Sequence, residues 1–73
     1  MYHLSDATKK NIMNFLDSLN LLLREHELTI DFTDGALYSD TSGFVGHLED
    51  NKNYISLNDG EEDLLTSKKN EEN

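Results

Sequence analysis

Apolar residues recur at helical spacing over the first third of the chain. Ile12, Phe15, Leu16, Leu19, Leu22 and Leu23 gather on one face at about 100° per residue, with Lys10, Asn14, Asp17 and Arg24 opposite. Met13 lies at the edge of that face and Leu21 among the polar residues. Ser5 precedes the run and suits an N-cap, because its hydroxyl can accept a backbone N–H that has no partner within the helix. Asp6 then meets the positive end of the helix dipole. The pattern predicts an amphipathic helix over 6–26. Its apolar face includes His26, which reads as a partly buried structural histidine.

The period then changes from helical to alternating. Residues 27–33 place Leu28, Ile30 and Phe32 on one side, which predicts a half-buried strand. Asp34 and Gly35 supply a two-residue hairpin turn. That turn pairs Thr33 with Ala36, Phe32 with Leu37 and Asp31 with Tyr38, so Leu37 faces the core and Tyr38 faces out. A third strand is expected over 44–48, with Phe44 and Leu48 inward and Val45 and His47 outward. A fourth is expected over 54–57, with Ile55 and Leu57 inward. Beyond Asn58 the chain is polar apart from Leu64 and Leu65, and 58–73 reads as an acidic, mostly disordered tail. The expectation is an α+β domain over 1–57. One N-terminal amphipathic helix packs on a three- to four-stranded antiparallel sheet, and a flexible acidic tail comes after it.

Charge sharpens this picture. The 73 residues carry a formal charge of −9 and contain no Cys, Pro or Trp. Residues 1–26 are neutral in sum, since Asp6, Asp17 and Glu25 balance Lys9, Lys10 and Arg24. Residues 27–57 hold six acids against Lys52, and 58–73 hold six acids against Lys68 and Lys69. The negative field therefore lies wholly after residue 26. Length allows one small domain, and without Cys neither a disulfide framework nor a Cys-based zinc site can staple it. A pI near 4.4 argues against direct binding to nucleic acid or an anionic membrane, since both present phosphate. The N-terminus has no basic cluster ahead of an apolar run, and the apolar stretch at 19–23 is far below the roughly 20 residues of a membrane span. A cytoplasmic location is expected.

Residue chemistry points away from catalysis. His3, His26 and His47 lie more than twenty residues apart, whereas metal sites usually take two ligands from one local element. The acids before Gly35 and Gly60 do not fit an EF-hand, whose first, third and fifth positions are oxygen ligands. Gly43 and Gly46 lack the context of a phosphate loop, and no serine sits in a nucleophile motif. No enzyme activity, metal or cofactor is expected, and a sheet with one helix is expected to leave little concavity.

What remains is surface. Tyr38, Val45, His47 and Tyr54 fall on the outward sheet face beside Asp31 and Thr29. A fold this small gains from a second copy, and Met13, Leu21 and Val45 are the candidate contacts of a homodimer. The acidic residues Glu27, Asp31, Asp34, Asp40, Glu49 and Asp50, with Tyr38 and Tyr54, are the candidate partner-binding set. Their field steers association with a basic protein surface, and the basic surfaces that recur in cells are those built for nucleic acid. On the expected strand, Glu27 and Asp31 share a face about 13 Å apart at 3.3 Å per residue, roughly the advance of four phosphates along a duplex.

In size, acidity, lack of Cys and helix-plus-sheet build, the chain resembles the very small acidic proteins with which phages block host DNA-binding machinery. Members of that class act as DNA mimics on glycosylases, nucleoid proteins, CRISPR nucleases, RNA polymerase or the sliding clamp. The stretch Ser18, Leu19, Asn20, Leu21, Leu22 echoes a clamp-binding peptide but lacks its Gln and Phe. The resemblance implies an inhibitor that occupies a DNA-binding surface in the host cytoplasm, with a clamp, nuclease or polymerase as target. The alternatives are an interaction module whose acidity serves solubility and an antitoxin-like accessory subunit whose tail folds on a partner through Leu64 and Leu65.

Overall fold

The computed structural model describes residues 4–33, 35–41, 43–51 and 53–69. Helix α1 spans Asp6–His26 and is followed by strands β1 (Ala36–Ser39), β2 (Gly43–Asp50), β3 (Tyr54–Asn58) and β4 (Asp63–Lys68). The strands form one antiparallel sheet in the order β1-β2-β3-β4. The helix covers one face, so the α+β class expected from the pattern is the class found.

The helix begins and ends for local reasons. Ser5 is extended (φ −70°, ψ 160°), and its Oγ accepts the Thr8 N–H at 3.1 Å. At the other end Glu27 enters the left-handed region (φ 57°), and the Leu28 N–H donates to the Leu23 carbonyl at 2.9 Å. That closure overrides the expected strand over 27–33. Glu27 is consumed in the helix stop, and the Ile30 N–H donates at 2.8 Å to the Asp50 carboxylate rather than to a neighbouring strand. Alternating apolar residues favour a strand only where a partner strand takes up their backbone groups. Residues 28–32 therefore run as an irregular connection, with Leu28 61% exposed. The hairpin turn expected at Asp34 and Gly35 falls partly outside the described residues, because Asp34 does. Gly35 serves close packing instead, since a Cβ there would stand 2.8 Å from the Phe32 Cβ.

The core comprises Leu4, Ile12, Leu16, Leu23, Val45, Ile55 and Leu57, with Met13, Leu19, Leu37, Leu48, Leu64 and Leu65 packed against it. Each fully buried aliphatic side chain contributes roughly 1.5–3 kcal/mol relative to exposure. The helix lies over β3 and β4, while its backbone stays clear of β1 and β2. Its buried stripe is accordingly rotated from the expected one. Asn20 is buried, whereas Phe15, Leu22 and His26 are exposed.

A β-bulge reverses one expectation in β2. Leu37 pairs with Gly46 but Tyr38 pairs with Phe44, so Val45 is the extra residue. One inserted residue shifts the side-chain alternation by one. Val45 and Leu48, three apart, both turn toward the helix; Phe44 and His47 both lie on the exposed side. Val45 is 1% exposed, the opposite of its expected outward position. Gly46 permits the bulge: its φ is 151°, and a Cβ would stand 2.8 Å from the Asn58 carbonyl oxygen.

The largest departure is at the C-terminal end. Residues 63–68, expected within a disordered tail, form β4 and are bound tightly to the helix. The buried Asn20 donates through Nδ2 to Ser67 Oγ at 2.9 Å and to the Lys68 carbonyl at 2.8 Å. Ser67 Oγ in turn donates to Asp17 Oδ1 at 2.8 Å, and Arg24 Nη1 donates to the Lys69 carbonyl at 3.1 Å. Lys69 also forms an ion pair with Asp50 across the sheet. A second register shift, beside Asn58, lets the adjacent Leu64 and Leu65 both pack on the core, so neither is a free anchor for a partner. The strand escapes the pattern because its inward Ser67 is polar. Only the helix opposite makes that burial affordable.

Candidate partner-binding surfaces

The sheet face turned away from the helix carries an aromatic row. Tyr38 and Phe44, register partners across β1 and β2, meet edge to face with centroids 5.6 Å apart. Phe44 and His47 meet likewise at 5.2 Å. Tyr38 is 67% exposed, so the row ends in an accessible phenol. Phe44 and His47 could not be assigned to one row from the sequence, because only the bulge places residues three apart on the same side.

At the far end of this face lies the β3–β4 turn. Asn58 Oδ1 accepts the Gly60 N–H at 3.0 Å, and Asp59 Oδ1 accepts the N–H groups of Glu61 and Glu62 at 2.9 and 3.0 Å. The hydrogen bond from Glu62, then that from Glu61, holds the Asp59 carboxyl below its ordinary value of 3.8. Glu49 of β2 borders the same turn, lining a shallow concavity with Asn58, Gly60, Glu61, Glu62 and Asp63. Five acids, Glu49, Asp59, Glu61, Glu62 and Asp63, are thus presented at one end of the sheet. Four of them belong to the stretch expected to be a tail.

The candidate residues disperse. Glu27 and Asp31 are exposed but lie in the helix stop and the connection, so the 13 Å strand spacing expected of them has no strand to carry it. Asp40 is exposed in the β1–β2 turn, and Asp34 lies outside the described residues. Asp50 is not a surface acid. Its side chain is fully buried, ion-paired with Lys69 and bonded to the Ile30 N–H, so it fastens the connection to the sheet. Tyr38 and Glu49 are exposed; Tyr54 is half-buried. The three proposed dimer contacts share no surface: Val45 is buried, Met13 packs against the core, and Leu21 alone is exposed.

On the helix side a groove of about 620 Å³ opens between the first half of α1 and β1. Ile12 and Phe15 form one wall, Leu37 and Val45 the floor, and Tyr38 and Asp40 part of the rim. This concavity is not expected of a single helix on a sheet. Adjacent strands rotate by about 20–25°. The helix backbone approaches β3 and β4 and therefore stands away from β1. Among the described residues no group of three or more His, Cys, Asp or Glu could hold a metal ion, and no helix is long and apolar enough to cross a membrane.

Comparison with known proteins brings no match: no protein-family model, curated protein or solved structure matches the chain.

Proposed function

We propose that this protein is a small acidic inhibitor that occupies the basic, DNA-binding surface of a nucleic-acid-binding protein, with a sliding clamp, nuclease or polymerase as the target class. The observation that carries the reading is the β3–β4 turn. Its carboxylates are held beside Glu49 by a turn whose hydrogen bonds are satisfied internally, so presenting them to a cationic surface costs little ordering entropy. A folded array of carboxylates competes for phosphate-binding Lys and Arg residues better than a tail that must first be ordered. The aromatic row on the same sheet face offers rings on which Arg side chains can stack.

Capture from bacterial lysate on the immobilised protein, at low and high salt and with a DNA duplex as competitor, tests the reading. Capture of a DNA-binding protein should fall steeply with salt and with added duplex. The combined variant Glu49→Gln, Glu61→Gln and Glu62→Gln should lose it. Capture that ignores both salt and duplex, or that survives this variant, rules mimicry out.

A further inference from the structure

The two edges of the sheet are finished differently. β4 carries Asp63 and Lys68 at its ends and a register shift beside Asn58, all devices that discourage pairing with another chain. β1, Ala-Leu-Tyr-Ser, carries no charge, and the extra residue of its bulge lies on β2. The Gly35 carbonyl accepts the Leu48 N–H at 2.7 Å, which turns the Gly35 backbone toward β2. By alternation, Ala36 and Tyr38 turn their N–H and C=O groups away from the sheet. Both residues are exposed, and among the described residues no strand lies beyond β1.

That open edge borders the groove. An extended chain laid against β1 would send every second side chain against Phe15 and Leu37, above the buried Ile12 and Val45. Phe15, 43% exposed, is the half-covered wall such a side chain would complete. The intervening side chains would lie on the outward face, over Tyr38 and near Asp40. Among the described residues no Lys or Arg lines the groove, and Asp40 is the one carboxylate there.

We propose that β1 accepts an extended segment of a partner protein as a fifth strand, with apolar side chains in the groove alternating with Arg or Lys over Tyr38 and Asp40. The cationic character of the segment rests on the preceding reading; the strand addition rests on the edge and the groove. A second copy is the poorer occupant, because it carries the same net charge of −9 and a like-charged chain is repelled.

The probe is a seven-residue peptide alternating valine and arginine, titrated into the whole protein. Binding should protect the Ala36 and Tyr38 amides from hydrogen exchange. N-methylation of every second peptide amide, chosen to block the edge hydrogen bonds, should weaken binding roughly tenfold or more. The Phe15→Lys variant, checked for helicity, should also bind weakly, and a valine–glutamate peptide should not bind. The proposal is overturned if no binding occurs. It is equally overturned if N-methylation has no effect and the perturbed residues are Glu49 and 59–63, an outcome that leaves the acidic-surface reading standing. Doubled mass in solution with Ala36 and Tyr38 already protected would assign the edge to a second copy, and would also overturn it.

Discussion

The two halves of the sheet meet the same helix on different terms. Over β3 and β4 the helix is sealed down by Leu16, Leu23, Ile55 and Leu57 and by the buried Asn20–Ser67 pair, which extends to Asp17. Over β1 and the start of β2 it stands off, leaving Phe15 half-exposed above Leu37 and Val45. The closed half uses polar residues to fasten its interior; the open half leaves the Phe15 ring at its surface. Stability is concentrated in the first and accessible binding surface in the second, a division expected wherever one helix must serve a twisted sheet.

Truncations on either side should expose the contrast most strongly. Leu57→Ala removes a fully buried side chain from the closed half and should cost about 2–5 kcal/mol in chemical denaturation. Phe15→Ala in the open half should cost far less, about 1 kcal/mol or below, because much of the ring is already in water. Equal losses would mean the groove is closed in solution.

Next in size is Asn20→Ala. It strips the Lys68 carbonyl and Ser67 Oγ of their shared donor and should destabilise the fold by about 1–3 kcal/mol. Amide exchange should rise first in β4, since that strand hangs on the network. A uniform rise would dissolve the distinction between the halves. Glu27→Gly should act in the opposite direction, stabilising by up to about 1 kcal/mol in thermal unfolding, because glycine takes the left-handed conformation without a Cβ penalty. A loss would show that the Glu27 side chain contributes more than its backbone geometry costs.

The smallest effect concerns Asp59. Its carboxyl is held below 3.8 in the folded chain by the Glu62 and Glu61 N–H groups. Its contribution is therefore present above the unfolded value and lost as pH falls through the lower folded value. Asp59→Asn keeps an acceptor but not the charge. Its melting temperature should sit slightly below that of the parent at neutral pH, and the gap should close in acid below pH 3.8. A gap that stays constant with pH would remove the charge from the account of the turn.

Legibility tracks the range of the interactions. Ser5 as cap, Ile12, Leu16 and Leu23 as the buried stripe, and Ile55 and Leu57 as inward strand residues can all be read from neighbours a few positions away. Strict alternation puts Val45 and Phe44 on the wrong faces because it contains no signal for a bulge, although Gly46 is a residue that can host one. The 59–63 acids read as tail because composition separates solvated from buried charge and does not separate an ordered turn from a disordered segment. Asp50 reads as a surface acid because its partner, Lys69, lies across two strands.

From its own order of residues the chain determined a capped amphipathic helix, a set of short antiparallel strands and a negative field confined to residues beyond the helix. Each of these depends on local periodicity, on capping or on simple sums of charge. Tertiary structure alone decided that 28–32 is no strand, that 63–68 is one, that Val45 points inward, and that an open edge borders a groove. Those outcomes turn on which distant backbone and polar groups satisfy one another. A half-polar segment such as 63–68 is a strand because Leu57 and Ile55 pair with it and Asn20 binds its buried Ser67.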